Sequence, residues 1–102
     1  MVKRDEKIDE LMRLFLELYK LMKADGENNW IRGISGCLYE LENGKACEPD
    51  GLERARDIYR SMNKGNGSFS DYYIWRDDFQ QRKEINDELD VIKSCIEEIF
   101  NN

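Results

Sequence analysis

The chain has 102 residues, 37% of them charged and 40% hydrophobic, with a net charge of −6. That length makes one helical domain spanning residues 1–102, able to bury roughly two-thirds of its unfolded surface around one modest core. The acidic balance excludes nucleic acid as a direct ligand and anionic membrane as a docking surface, since both need a basic field, and it suits a basic protein partner drawn in by long-range attraction.

The first predicted helix covers residues 5–24. Ile8, Leu11, Met12, Phe15, Leu18, Tyr19 and Met22 follow 3–4 spacing, and Leu14, Leu16 and Leu21 widen the apolar face. Acids lie in its first turns and lysines in its last, as the helix dipole prefers. Gly26 supplies the stop.

A second helix is expected over 29–42, with Asn29 as its cap, Ile31, Ile34, Leu38 and Leu41 as its core stripe, and Asn43-Gly44 as its end. Gly33 and Gly36 each cost about 1 kcal/mol relative to alanine in a helix, so they imply close approach of a neighbouring helix. After a loop at 45–50, Asp50 caps a third helix over 51–62, striped by Leu52, Ala55, Ile58, Tyr59 and Met62. The last helix, 80–100, carries Ile85, Leu89, Ile92, Ile96 and Ile99. The whole reads as all-α: a four-helix, bundle-like domain with a structured loop before the last helix. Ile8, Leu11, Phe15, Leu18, Ile34, Leu38, Ile58, Leu89, Ile92 and Ile96 are its expected buried residues.

That loop is the most distinctive stretch of the chain. Four large aromatics, Phe69, Tyr72, Tyr73 and Trp75, fall within seven residues, beside Asp71, Asp77 and Asp78. Residues 69–75 read as an irregular or short extended segment, with Tyr72 and Ile74 on one side and Phe69, Tyr73 and Trp75 on the other; a helical turn from Ser70 would instead gather Tyr72, Trp75 and Phe79. The loop also opens the acidic part of the chain: residues 69–102 hold nine acids and four bases, almost the whole net charge.

Signs of catalysis are scarce. The chain has no histidine, the usual general base and metal ligand. Its three cysteines, Cys37, Cys47 and Cys95, are too scattered for zinc; Cys37 and Cys95 read as core, Cys47 as a loop residue. Gly65-Asn66-Gly67-Ser68 is an ordered turn or an anion nest, without the Lys-Ser/Thr end of a phosphate loop. No apolar leader or membrane-length run appears, so reduced thiols in the cytoplasm are expected. No cofactor, metal or catalytic residue is assigned.

The run Gly65-Asn66-Gly67-Ser68-Phe69-Ser70-Asp71, followed by apolar residues, resembles a glycine-x-glycine-serine-phenylalanine-x-aspartate motif of an uncharacterised family of small bacterial helical proteins. Asp25-Gly26-Glu27 before Trp30, and Ile58-Tyr59 before the loop, resemble its pattern too. The resemblance spans most of the chain, and the loop motif is its specific part. The resemblance implies no established enzyme activity. Such proteins are similar in size and charge to the immunity partners of secreted bacterial toxins, as in contact-dependent inhibition. Tyr72-Tyr73-Ile74-Trp75 departs from the plainer aliphatic pattern, reading either as partner-specific anchoring or as ordinary packing.

The expected function is therefore an immunity protein that binds and neutralises a cognate basic toxin, most simply a nuclease, whose nucleic-acid surface an acidic protein can cover. Tyr72, Tyr73 and Trp75 would anchor it; Asp71, Asp77 and Asp78 would supply charge, with Asp87, Glu88 and Asp90 as a second group. The alternative is a helical adaptor or regulator, monomeric or weakly self-associating. An exposed aromatic patch bordered by acids favours the first, an open apolar stripe on the first or last helix the second.

Overall fold

Apolar residues at 3–4 spacing form helices in every segment where they occur. The computed structural model describes residues 4–46, 51–64 and 68–101 and contains α1 (Arg4–Asp25), α2 (Trp30–Ala46), α3 (Gly51–Met62), a 3-10 turn at Phe69–Asp71 and α4 (Phe79–Asn101). No strand occurs among the described residues. The architecture is the expected all-α, four-helix arrangement. Cys47, the Asp50 cap and the glycine turn at 65–67 lie outside the described residues.

The packing order is α3 on α2, α2 on α1, and α1 on α4. Tyr59 of α3 closes the circle: its ring meets Phe100 of α4 at 5.8 Å, Phe15 of α1 at 5.6 Å and Phe69 of the 3-10 turn at 6.0 Å. Edge-on and tilted pairs of this kind add to the stabilisation from burial. Eight of the ten residues expected in the core are buried; Leu38 and Ile58 are half-buried against it. Cys37 is fully buried and Cys95 half-buried. Of the leucines that widen the α1 face, Leu14 is buried but Leu16 is exposed.

The junction between α1 and α2 is built by two consecutive residues, Gly26 and Glu27. Gly26 adopts φ +79°, where a side chain is strained. Its N–H bonds to the Lys23 carbonyl, and the Glu27 N–H reaches back to Met22, the paired closure typical of a glycine-terminated helix. The chain reverses, and the Glu27 carboxylate accepts the N–H groups of Asn29 and Ile31 at 3.0 and 2.8 Å. Asn29 holds the expected cap position, but Glu27 supplies the capping side chain.

One boundary differs from expectation. α2 does not stop at Asn43-Gly44 but runs to Ala46. Asn43 donates its side-chain amide to the Tyr39 carbonyl one turn back, so its polar group is satisfied within the helix rather than by ending it.

Candidate functional site

Residues 69–76 form an arm laid along α4. After the 3-10 turn the chain extends, and exposure alternates: Tyr72 half-buried, Tyr73 exposed, Ile74 buried, Trp75 exposed, Arg76 half-buried. That is the period of an extended chain with one side against the core. The expected grouping holds for Tyr73 and Trp75 but not for Phe69. The turn at Phe69–Asp71 breaks the alternation, and Phe69 is fully buried between the Trp30, Tyr59 and Tyr72 rings.

Among the described residues the arm has no neighbouring strand, and three polar side chains of α4 take that role. Lys93 Nζ donates to the Phe69 carbonyl at 3.1 Å. Asn86 Oδ1 accepts the Ile74 N–H at 2.9 Å, while its Nδ2 donates to the Ile74 carbonyl at 2.7 Å. Arg82 Nη1 donates to the Arg76 carbonyl at 3.2 Å. At 3.6 residues per turn, positions 82, 86 and 93 share one face of α4 within about 40°. Their order opposes that of their targets, so arm and helix run antiparallel. Lys93 also lies 4.6 Å from the Phe69 ring centre, and burial pulls its ammonium below the usual lysine pKa, against the opposing pull of Asp90 and Asp71.

The arm is tied to α1 as well. Asp25 accepts the Tyr72 hydroxyl at 2.7 Å and pairs with Arg76 at 3.1 Å. Burial, then the bond to Asp25, pushes the Tyr72 pKa upward. Tyr72, expected as a partner contact, is therefore first a structural tie.

What remains outside is a shelf. Tyr73, Trp75 and Phe79 are 55, 61 and 67% exposed, far beyond what core aromatics show. Trp75 is fixed rather than loose: the Arg82 guanidinium lies 4.2 Å from its ring centre and 5.4 Å from that of Phe79, and its indole N–H donates to Asp77 at 3.2 Å. Asp71 and Asp77 are both exposed, at the two ends of the arm. Asp78 is the N-cap of α4, accepting the Gln81 N–H at 2.8 Å. The second acid group, Asp87, Glu88 and Asp90, is exposed on α4.

Phe79, Arg82, Asn86, Lys93 and Asp25 are parts of this site that sequence reasoning missed. Asn86 had a signal: it is a polar residue among the apolar positions Ile85, Leu89 and Ile92, and such a residue must bond something inside. Phe79 was grouped with Tyr72 and Trp75 only under the helical alternative, and Arg82, Lys93 and Asp25 carry no signal that composition or spacing reveals. A cleft of about 480 Å³ lies between the end of α3, Ser70 and α4, bordered by Asp90, Lys93 and Glu97; its one amine is the Lys93 group already bonded to the arm. No helix among the described residues is long and apolar enough to cross a membrane.

The sequence profile of a family described as a domain of unknown function, DUF6966, matches residues 23–81, more than half the chain. The match runs from the end of α1 through the first turn of α4, and so takes in Asp25, Gly26, Glu27 and the whole arm. No curated protein and no solved structure matches the chain.

Proposed function

This chain belongs to the DUF6966 family, and we propose that it is a non-catalytic immunity protein of the bacterial cytoplasm that neutralises a basic toxin through the arm. The observation that carries the reading is the shelf itself: three large aromatics exposed beside acids, on a backbone held still by α4. Rigid aromatic anchors lose little entropy on binding and dominate interface energies. Acids around them speed encounter with a basic surface. A nuclease toxin must present such a surface to hold its substrate, so covering it blocks access without any chemistry by the inhibitor.

Among the described residues, the large exposed apolar side chains elsewhere are Leu16 on α1, Tyr39 on α2 and Val91 on α4, each on a different helix. They form no stripe of the kind a helical adaptor would dock through, which favours the arm.

The test is co-expression with the C-terminal domain of a toxin encoded beside this gene. The expected result is restored growth and a stable one-to-one complex on size exclusion. Growth arrest with no complex formed would reject the immunity reading.

A further inference from the structure

The arm has two backbone edges, and α4 uses one. Asn86 meets both the N–H and the carbonyl of Ile74, two groups that share an edge only in an extended chain. The N–H and carbonyl of Tyr73 and the N–H of Trp75 therefore point to the opposite edge. Among the described residues, nothing bonds to those three groups. The Trp75 carbonyl is taken, accepting from Arg76 at 2.8 Å. An unpaired edge of this kind is a template for another strand.

We infer that this open edge receives an extended, Lys/Arg-bearing segment of the partner protein as an added strand. The mode deepens the immunity reading and rests on its premise of a basic partner. Main-chain bonds to Tyr73 and Trp75 would hold the segment, and their side chains would flank it. The 3-10 turn on one side and the α4 cap on the other limit the edge to about five residues, or roughly 17 Å. Asp71 and Asp77 stand at its two ends, placed to meet basic side chains. Charge selects the occupant: residues 69–102 hold nine acids and four bases, so a second copy would bring like charge to like. Because α4 already fixes the arm at Phe69, Ile74 and Arg76, little ordering remains to oppose binding.

The probe is acetyl-Arg-Val-Arg-Val-Arg-Val-amide, added to the full chain, with amide hydrogen exchange followed by NMR. In the free protein the Ile74 amide should exchange slowly and the Tyr73 and Trp75 amides fast. Saturating peptide should slow those two by at least about tenfold. Two further peptides carry N-methyl groups on all valines or on all arginines. An added strand turns only alternate amides inward, so one of the two should bind at least about tenfold more weakly and the other nearly as before. Equal binding by both methylated peptides overturns the inference. If Trp75→Ala then abolishes that binding, side chains alone do the docking, and the basic-partner reading survives. No binding by the unmethylated peptide also overturns strand addition, while the toxin co-expression result stands separately. Concentration-dependent protection of Tyr73 and Trp75 without peptide identifies a second copy as the occupant and overturns the choice of a basic segment.

Discussion

At the scale of single residues, the arm depends most on Asn86, whose amide satisfies both backbone groups of buried Ile74 and the Arg82 carbonyl. Asn86→Leu is close in volume but leaves the Ile74 N–H and carbonyl without partners, and an unsatisfied buried group costs about 1–3 kcal/mol. Urea melts should show a loss of roughly 2–3 kcal/mol on that basis, with faster exchange of the Ile74 amide. Stability and exchange equal to wild type would mean that packing alone seats the arm. A second residue contributes to the alkaline sensitivity of the fold. Burial pushes the Cys37 thiol from 9.0 up to about 12. A pKa raised by folding gives stability that is whole below the unfolded value and lost as pH climbs toward the folded one. The loss therefore begins near pH 9 and reaches roughly 1 kcal/mol by pH 10. Tyr59 and Tyr72, also raised, add losses of the same sign from about pH 10 upward. Lys93, lowered, works the other way below its usual 10.5. Comparing pH 7.5 with pH 10, Cys37→Ala should lose less stability than wild type, whatever its offset at pH 7.5. An identical drop in both proteins would assign the alkaline loss elsewhere.

At the scale of elements, the contact between α2 and α3 separates two glycines that look alike in sequence. A Cβ built at Gly36 would meet Ile58 Cδ1 at 3.6 Å, an ordinary contact. One built at Gly33 would collide with the sulfur of Met62. Gly36→Ala should therefore stabilise the fold by about 0.5–1 kcal/mol through helix propensity. Gly33→Ala should fall short of that gain, because Met62 must be displaced. Equal melting temperatures for the two variants would show that Met62 moves aside at no cost. The same contrast shows what periodicity reveals. Helix existence followed from the apolar spacing, and the boundaries of α1, α3 and α4 from Gly26, Met62 and Phe100 to within a residue or so. Asn43-Gly44 misled, since low propensity there is a weak stop and α2 continues through it to Ala46. The arm was legible as an interruption rich in aromatics and acids, but the roles of its residues were not. Whether Tyr72 or Trp75 faces solvent depends on which partner lies 47 residues upstream or 7 downstream, and nothing local records that. Phe69 went to the core because a three-residue turn shifted its phase.

At the scale of the whole molecule, charge and shape divide the work of binding. Most of the net −6 falls after residue 68, so a basic partner is drawn toward the arm and α4 before any contact forms. Removing charge there should slow association, and aromatic truncation should speed dissociation. The triple change Asp71→Asn, Asp77→Asn and Asp78→Asn suits the first measurement. Asparagine still caps a helix at Asp78 and still offers an oxygen to the Trp75 indole at Asp77, so folding is spared while three charges go. Association with the toxin domain should slow several-fold at low salt, and its salt dependence should flatten, because exposed charges are screened over about 10 Å at 0.1 M. Trp75→Ala suits the second. The residue is 61% exposed, so the free protein should melt nearly as wild type. Loss of a central anchor costs about 2 kcal/mol or more, roughly thirtyfold in dissociation rate. Stopped-flow association across a salt series, together with surface-capture dissociation, reads both. If rates for both variants match wild type while protection is intact, the arm is not the interface, and the exposed acids Glu84, Asp87 and Glu88 of α4 become the surface to change next.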